Sequence, residues 1–140
     1  MAKNLFIVIV GCGRLGSYLA NGLSRAGHGV VVIDRRPEAF DLLSAEFSGF
    51  KVVGDAVEYA VLREARLERA DLLLAAAEED NVNLMAAQVG REVFGVKRVM
   101  ARVADPAREA AYREFGIATV CPTTLAGDLL LKTLRDEEGA

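Results

Sequence analysis

Residues that build metal centres and disulfide frameworks are scarce in this sequence. It contains two cysteines, Cys12 and Cys121, and a single histidine. The two cysteines fit neither a disulfide framework nor a metal-ligand spacing, and one histidine leaves little for a zinc site. We therefore expect no bound metal ion and a reducing compartment, the cytoplasm.

Basic charge and long apolar runs are also lacking. Lysine and arginine number 17 against 20 aspartate and glutamate residues, which gives a net charge of −3. Affinity for nucleic acid or anionic lipid shows as a basic excess, so neither is an expected partner. No apolar stretch reaches the roughly 20 residues that span a bilayer. The first predicted strand starts almost at the N-terminus, so we expect no signal peptide and no direct membrane insertion.

Small aliphatic residues dominate what is present. Hydrophobic residues make up 52% of the 140, but only 6% are aromatic and tryptophan is absent. This composition is typical of buried parallel strands covered by helices, the α/β class. The length fits one domain, which we place at residues 1–136, followed by a frayed tail at 137–140.

The most informative stretch is a glycine turn between a predicted strand at 5–10 and a predicted helix at 15–26. Its sequence is Gly11-Cys12-Gly13-Arg14-Leu15-Gly16. Gly11 suits a tight turn, Gly13 lets backbone approach a pyrophosphate, and Gly16 lets the helix pack closely on the strand. The helix N-terminus would supply unpaired N–H groups to the anion. The alternative is that these glycines serve chain geometry alone.

Strand and helix patterns alternate along the whole chain. Further strands are predicted at 30–34, 51–53, 71–77, 98–103 and 117–121, with helices at 37–49, after Asp55, at 81–94, 105–115 and 122–134. This order predicts a Rossmann-like, doubly wound parallel sheet of six strands in the order 3-2-1-4-5-6. A ligand would bind outside the carboxyl ends of strands one and four.

Helical spacing also predicts which side chains face the sheet. Tyr18 falls in the apolar stripe of the first helix, and Met85 and Val93 fall in that of the helix after strand four. Leu129, Leu130 and Leu131 cover more than one stripe of the last helix. One contact with the sheet would leave apolar surface bare there, which suggests a partner subunit.

Asp34 ends the second strand at the position of a ribose-binding acid. Its carboxylate would accept hydrogen bonds from the ribose hydroxyls and repel a 2′-phosphate, which favours NAD(H) over NADP(H). The alternative is a helix cap. Arg35 and Arg36 complicate this prediction, since arginines there can bind a 2′-phosphate or stack on adenine; a solvated pair is the competing interpretation.

The other candidates also follow strands. Arg14 would reach phosphates, Asp55 and Ala56 would meet adenine, and Asn83 would bind a second ribose or phosphate. A surface role remains open for Arg14 and a helix cap for Asp55. Ala76 and Ala77 would leave room for the ligand, and Cys12 would lie beside it. Arg102 needs either a ligand or a buried structural partner.

Hydride transfer usually needs a general acid and a substrate pocket from a second domain, and the sequence offers neither. We therefore predict a binding protein and no enzyme. The alternative is a small NAD-dependent oxidoreductase fragment or a redox-linked enzyme subunit. A scaffold with a vestigial glycine loop is a third interpretation.

Several motifs occur together: GCGRLG, the Gly-Asp-Ala after the third strand, EEDNVNL after the fourth, and Ala-Arg-Val in the fifth. In this combination the sequence resembles the N-lobe of the regulator-of-K⁺-conductance (RCK) domain, also called the KTN or TrkA-N domain. The resemblance implies a cytoplasmic regulatory domain or subunit that acts beside the membrane through a potassium transporter or channel partner. It implies an adenine nucleotide ligand, with NAD(H) favoured and ATP, ADP or AMP as alternatives.

The resemblance also carries over residue roles. Gly11, Gly13, Arg14 and Gly16 would contact phosphates, Asp34 the ribose, and Asp55 and Ala56 the adenine. The last helix would cross to a second subunit in a homodimer, with a larger ring as an alternative. Two features depart from the family pattern. Thr123 follows Pro122 where ATP-sensing members often carry an acid. The usual C-lobe does not follow within these 140 residues, which fits either an excised domain or a lone N-lobe that works with a separate partner.

Overall fold

The computed structural model describes residues 4–139. These residues form a six-stranded, all-parallel sheet in the order 3-2-1-4-5-6, which confirms the predicted topology. The strands are β1 (Phe6–Val10), β2 (Gly29–Asp34), β3 (Phe50–Val53), β4 (Leu72–Ala75), β5 (Arg98–Arg102) and β6 (Ala118–Val120).

The central strand β1 is buried on both faces because it pairs with β2 on one side and β4 on the other. Its alternating side chains separate into two cores. Val8 and Val10 join one apolar cluster, while Ile7 and Ile9 join the other on the opposite face. This two-sided burial explains why the strand reads as a continuous apolar run.

Five α-helices connect or follow the strands within the described residues. They are α1 (Arg14–Arg25), α2 (Tyr59–Glu64), α3 (Asp80–Glu92), α4 (Glu109–Glu114) and α5 (Pro122–Gly139). A 3-10 turn at Pro106–Arg108 precedes α4, and the Asp105 side chain caps it by accepting a hydrogen bond from the Ala107 N–H.

The predicted helix at 37–49 is wrong beyond its first half. A 3-10 helix covers Pro37–Leu42, and Leu43 is extended. The amide of Asn21 on α1 explains the change. It accepts from the Ser44 N–H at 2.9 Å and donates to the Leu42 carbonyl at 3.4 Å, so it occupies backbone groups that a continuing helix would use.

Helical spacing also misplaced three large side chains. Tyr18, Met85 and Val93 are 78%, 48% and 58% exposed, and small residues form the buried faces instead. On α3, Ala86, Ala87 and Gly90 face the sheet. A Cβ on Gly90 would lie 2.5 Å from Leu73 Cδ2, so a helix this close to β4 leaves no room for a larger residue.

The last helix, α5, extends away from the apolar clusters, and none of its residues is buried. Leu129 and Leu130 are each 65% exposed, with Leu125, Leu131 and Leu134 also exposed. The helix continues through residues 137–139 of the predicted tail, and residue 140 lies outside the described residues. Within residues 4–139, no helix combines the length and apolar character needed to cross a membrane.

Candidate functional site

A cleft of about 470 Å³ lies at the carboxyl ends of the strands, over the glycine turn. Its walls come from the segments that follow β1, β2, β3 and β4. Among the predicted site residues, the cleft is lined by Gly11, Cys12, Gly13, Arg14, Asp34, Arg35, Asp55, Ala56 and Ala77. The predicted ligand position is therefore a real concavity.

Two glycines of the turn are required by the fold itself. Gly11 has a φ of +97°, and a Cβ there would lie 2.6 Å from the Ala77 Cα. A Cβ on Gly16 would lie 1.8 Å from the Gly11 carbonyl oxygen. Both positions therefore exclude side chains on steric grounds, so a structural role accounts for them.

Gly13 differs because no steric contact within residues 4–139 requires a glycine there. Its φ of −81° suits any residue. A Cβ there would point into the cleft and approach only Glu78 Oε1, at 3.8 Å. Gly13 also precedes α1 without a capping side chain, and the first N–H groups of a helix have no intrahelical partners. This cradle suits an anionic group that needs close access to backbone.

Asp34 connects the end of β2 to the glycine turn. Its Oδ2 accepts a hydrogen bond from the Cys12 N–H at 2.8 Å, and its Oδ1 accepts one from the Arg36 N–H at 2.9 Å. Each carboxylate oxygen has a second lone pair. The half-buried carboxylate therefore fixes the turn and still offers acceptors to the cleft.

The Cys12 thiol lies under the turn and is fully buried. Burial, and then the negative charge of Asp34, raise its pKa from 9.0 to about 11, against a lowering by Lys51. Because the reactive form of cysteine is the thiolate, Cys12 is a neutral packing residue near neutral pH.

Asn83 and Arg102 lie beside the loop after β4, outside the lining of the cleft. Asn83 is 0% exposed. Its amide accepts from the Ala77 N–H at 2.8 Å and donates to the carbonyls of Ala77 at 2.8 Å and Arg102 at 3.0 Å. The Arg102 guanidinium donates to the carbonyls of Ala77 and Glu78. Both side chains thus fix the loop after β4.

Asp80 is a buried acid whose role does not follow from the sequence pattern. Its carboxylate accepts from the Ala104 N–H at 2.7 Å and from the Asp105 N–H at 3.4 Å. Its carbonyl accepts from the Tyr112 hydroxyl at 2.7 Å. Burial, and then the Asp80 charge, raise the pKa of Tyr112. An acid at a helix start looks the same in sequence whether it caps or braces a neighbouring loop.

Charged side chains form the two lips of the cleft. Arg35 on one lip lies 3.6 Å from Glu79 on the other, and both are exposed. Within residues 4–139, Arg14 is exposed and makes no ion pair. At the far end, Asp55 accepts from the Val57 N–H at 3.1 Å, beside buried Ala56. A ligand with phosphates at the turn would extend toward this end.

Sequence reasoning missed other parts of the wall. The 3-10 segment after β2 contributes Glu38, Ala39, Asp41 and Leu42, and α3 contributes Val82. Conversely, Leu15, Gly16 and Ala76 lie outside the lining. The residues found from sequence directly follow strands, whereas the missed ones depend on how the irregular segment folds back over the sheet.

The groups that line the cleft are suited to binding a ligand. Residues 4–139 contain no group of three or more His, Cys, Asp or Glu residues placed to hold a metal ion. The cleft presents helix N–H groups, a carboxylate beside them and small apolar walls. These are the features that hold phosphate, ribose and base.

The family model and relatives that match this sequence belong to the TrkA proteins. The model of the TrkA-N domain family matches residues 7–123. The Trk system potassium uptake protein TrkA of Streptomyces coelicolor is 45% identical over 130 residues, which cover 93% of this chain and 58% of the relative. The chain thus spans less than two thirds of that relative.

Two solved structures show the same fold. The TrkA-N domain of the Escherichia coli inner membrane protein ybaL matches with a TM-score of 0.82 at 23% identity, over 96% of this chain and 99% of that one. The Shewanella denitrificans Kef CTD in its AMP-bound form matches with a TM-score of 0.77 at 22% identity, over 92% and 79%.

Proposed function

Because the chain belongs to the TrkA-N domain family, we propose that it is a nucleotide-binding regulatory domain of a potassium uptake transporter or channel. The observation that carries the proposal is Gly13. The fold does not require this glycine, and its open backbone faces the cleft at the N-terminus of α1. A phosphate group explains why a side chain is absent there.

The ligand we propose is an adenine nucleotide. Its phosphates would lie on Gly13 and the start of α1, its ribose on Asp34, and its adenine against Asp55 and Ala56. NAD(H) is favoured because the Asp34 carboxylate would accept the ribose hydroxyls and repel a 2′-phosphate. ATP, ADP and AMP are the alternatives, and the AMP-bound Kef neighbour supports the class.

Regulation requires two assembly states with different affinities for the nucleotide, since a ligand that binds both states equally shifts nothing. We propose that α5 joins two copies of the chain through its exposed leucines. Arg14, exposed at the cleft mouth and unpaired within residues 4–139, would contact phosphate in its own or a neighbouring subunit. In this arrangement the domain acts from the cytoplasmic side of the membrane, through its transporter partner.

A thermal unfolding series tests this function. Wild type and Gly13→Ala are compared with NAD⁺, NADH, NADP⁺, AMP, ADP and ATP. A nucleotide at 100 times its Kd should stabilise wild type by about 2.7 kcal/mol, because it binds only the folded state. Gly22→Ala is the matched control, since a Cβ there meets nothing within 4 Å and Gly22 does not line the cleft.

The proposal is contradicted if no nucleotide stabilises wild type. It is also contradicted if Gly13→Ala responds as wild type does. An assay of NADH oxidation against simple carbonyl substrates separates regulation from catalysis: sustained turnover at enzyme-like rates would favour the oxidoreductase alternative.

A further inference from the structure

The side chain that faces the open backbone of Gly13 is an acid. Glu78 Oε1 is the one heavy atom of the described chain, outside the immediate neighbours, within 4 Å of the position a Gly13 Cβ would take. Glu78 also lines the cleft. A phosphate that contacts the Gly13 backbone must therefore arrive beside this carboxylate.

The backbone of Glu78 is held in place from behind. Arg102 donates to the Glu78 carbonyl at 3.3 Å and to the preceding Ala77 carbonyl at 3.0 Å. Asn83 binds both the N–H and the carbonyl of Ala77. The Glu78 side chain can rotate about its own bonds, but the Cα from which it extends is fixed near the glycine turn.

Most other acids of the cleft are already engaged within residues 4–139. Glu79 pairs with Arg35, and Glu38 pairs with Arg36. Asp34 and Asp55 accept backbone N–H groups. Glu78 has none of these partners, and α1 carries no acid in its own first turn. Glu78, from a different loop, therefore supplies a carboxylate without these partners close to the positive end of α1.

The cleft as a whole is also acidic. Its lining has six carboxylates, from Asp34, Glu38, Asp41, Asp55, Glu78 and Glu79, and three guanidinium groups, from Arg14, Arg35 and Arg36. A highly charged phosphate chain would enter a site whose formal charge is already negative. The charge on the phosphates should therefore influence which nucleotide binds.

We infer that Glu78 is a specificity-determining residue that selects nucleotides by the charge on their phosphates. It disfavours ADP and ATP relative to a dinucleotide. Each of the two phosphates of a dinucleotide has one ester and one anhydride bond and carries one charge, whereas a terminal phosphoryl group carries up to two charges at neutral pH. This inference rests on the proposed function and explains how one cradle would distinguish ligands that share an adenosine.

The test measures affinities for NAD⁺, ADP and ATP by calorimetry, with EDTA present to remove divalent cations that would neutralise the phosphates. Wild type is compared with Glu78→Gln and with Asp41→Asn, a matched control that removes one cleft carboxylate at a different position. Glu78→Gln should raise ATP affinity about tenfold and NAD⁺ affinity about threefold or less, because each added ligand charge adds repulsion. Asp41→Asn should leave the ratio of ATP to NAD⁺ affinity near that of wild type.

An unchanged ratio in Glu78→Gln would overturn the inference, as would an equal change in Asp41→Asn, which would reflect net charge alone. Either result leaves the proposed function standing, because nucleotide would still bind and Gly13→Ala would still abolish binding. If wild type and Glu78→Gln bind no nucleotide at all, the proposed function fails and this inference fails with it.

Discussion

The carboxylate of Asp34 accepts a hydrogen bond from the Cys12 backbone N–H at 2.8 Å. The acid that would bind the ribose is thus also the residue that attaches the glycine turn to the end of β2. Asp34→Asn removes the charge and keeps one of the two acceptor oxygens, so it can retain one of the two hydrogen bonds from the Cys12 and Arg36 N–H groups.

For Asp34, we expect Asp34→Asn to raise the ratio of NADP⁺ to NAD⁺ affinity by about tenfold, because the repulsion of a 2′-phosphate is removed. Calorimetric titration with both dinucleotides measures the ratio. Asp34→Ala should also destabilise the fold by about 1–3 kcal/mol, because the Cys12 N–H loses its partner. An unchanged ratio in Asp34→Asn would contradict a ribose-facing role.

Gly13→Ala should impair nucleotide binding, whereas Gly16→Ala should lower the stability of the fold. Gly13→Ala should leave the free energy of unfolding within about 0.5 kcal/mol of wild type but abolish nucleotide binding, because its Cβ occupies only the cleft. Gly16→Ala should destabilise by about 3 kcal/mol or more, because its Cβ would overlap the Gly11 carbonyl. Denaturant unfolding and calorimetry give the two quantities. Equal stability losses would refute the distinction.

The buried amide of Asn83 provides a test of the loop after β4. Asn83→Ala should lower the free energy of unfolding by about 2–4 kcal/mol, because backbone groups of Ala77 and Arg102 lose their partners. Asn81→Ala on the same helix is the control, since Asn81 is exposed. Urea unfolding of both variants gives the comparison, and similar losses for the two would be inconsistent with the hydrogen bonds described.

Alkaline pH should weaken the fold through Cys12. Its folded-state pKa of about 11 lies above the ordinary value of 9.0. The folded state therefore keeps its proton over a range where the unfolded state loses it. This contribution to stability is fully present below pH 9 and is lost as the pH rises toward 11.

Urea unfolding between pH 8 and 11 checks this, with Cys12→Ala as the comparison. Wild type should lose stability more steeply than the variant across that interval. The pKa of Tyr112 is also raised, so its ionisation affects stability in a similar pH range. Introducing Tyr112→Phe into wild type and into Cys12→Ala isolates the contribution of Tyr112 to the loss of stability. Parallel pH profiles for wild type and Cys12→Ala would rule out a buried neutral thiol.

The exposed leucines of α5 predict a change in oligomeric state. Leu130→Asp should convert the proposed dimer to a monomer, because a carboxylate would be desolvated in an apolar interface. Its free energy of unfolding as a monomer should change little, since Leu130 is 65% exposed. Light scattering gives the masses of wild type, of Leu130→Asp and of Lys132→Asp, the control that introduces the same carboxylate at an exposed polar position of α5. A monomeric wild type would contradict the dimer.

The strand order and the position of the cleft were predictable because both follow from local patterns. Apolar runs alternate with amphipathic helices along the chain, one glycine turn follows the first strand, and the carboxyl ends of parallel strands meet at one edge. The predictions from sequence failed where contacts between distant parts of the chain determine the local structure. Asn21 ends the 3-10 segment at Leu42 through hydrogen bonds from a different helix.

Side-chain roles were harder to predict than positions. The sequence placed Asn83 and Arg102 near the cleft, and they are near it, but their polar groups bind the backbone of the Ala77–Glu78 loop. Whether a polar residue faces a ligand or a neighbouring carbonyl depends on a rotation of one side chain. Helical periodicity does not contain that information.

The placement of β4 beside β1 has a consequence for protein synthesis. Val10 of β1 is paired with Ala75 of β4, so a ribosome must complete more than half of the chain before the first strand gains its second neighbour. Until then one edge of an apolar strand lacks a partner, and such edges invite aggregation of a nascent chain. Because the lining of the cleft extends to Val82 on α3, the cleft can first form only after translation has passed that residue.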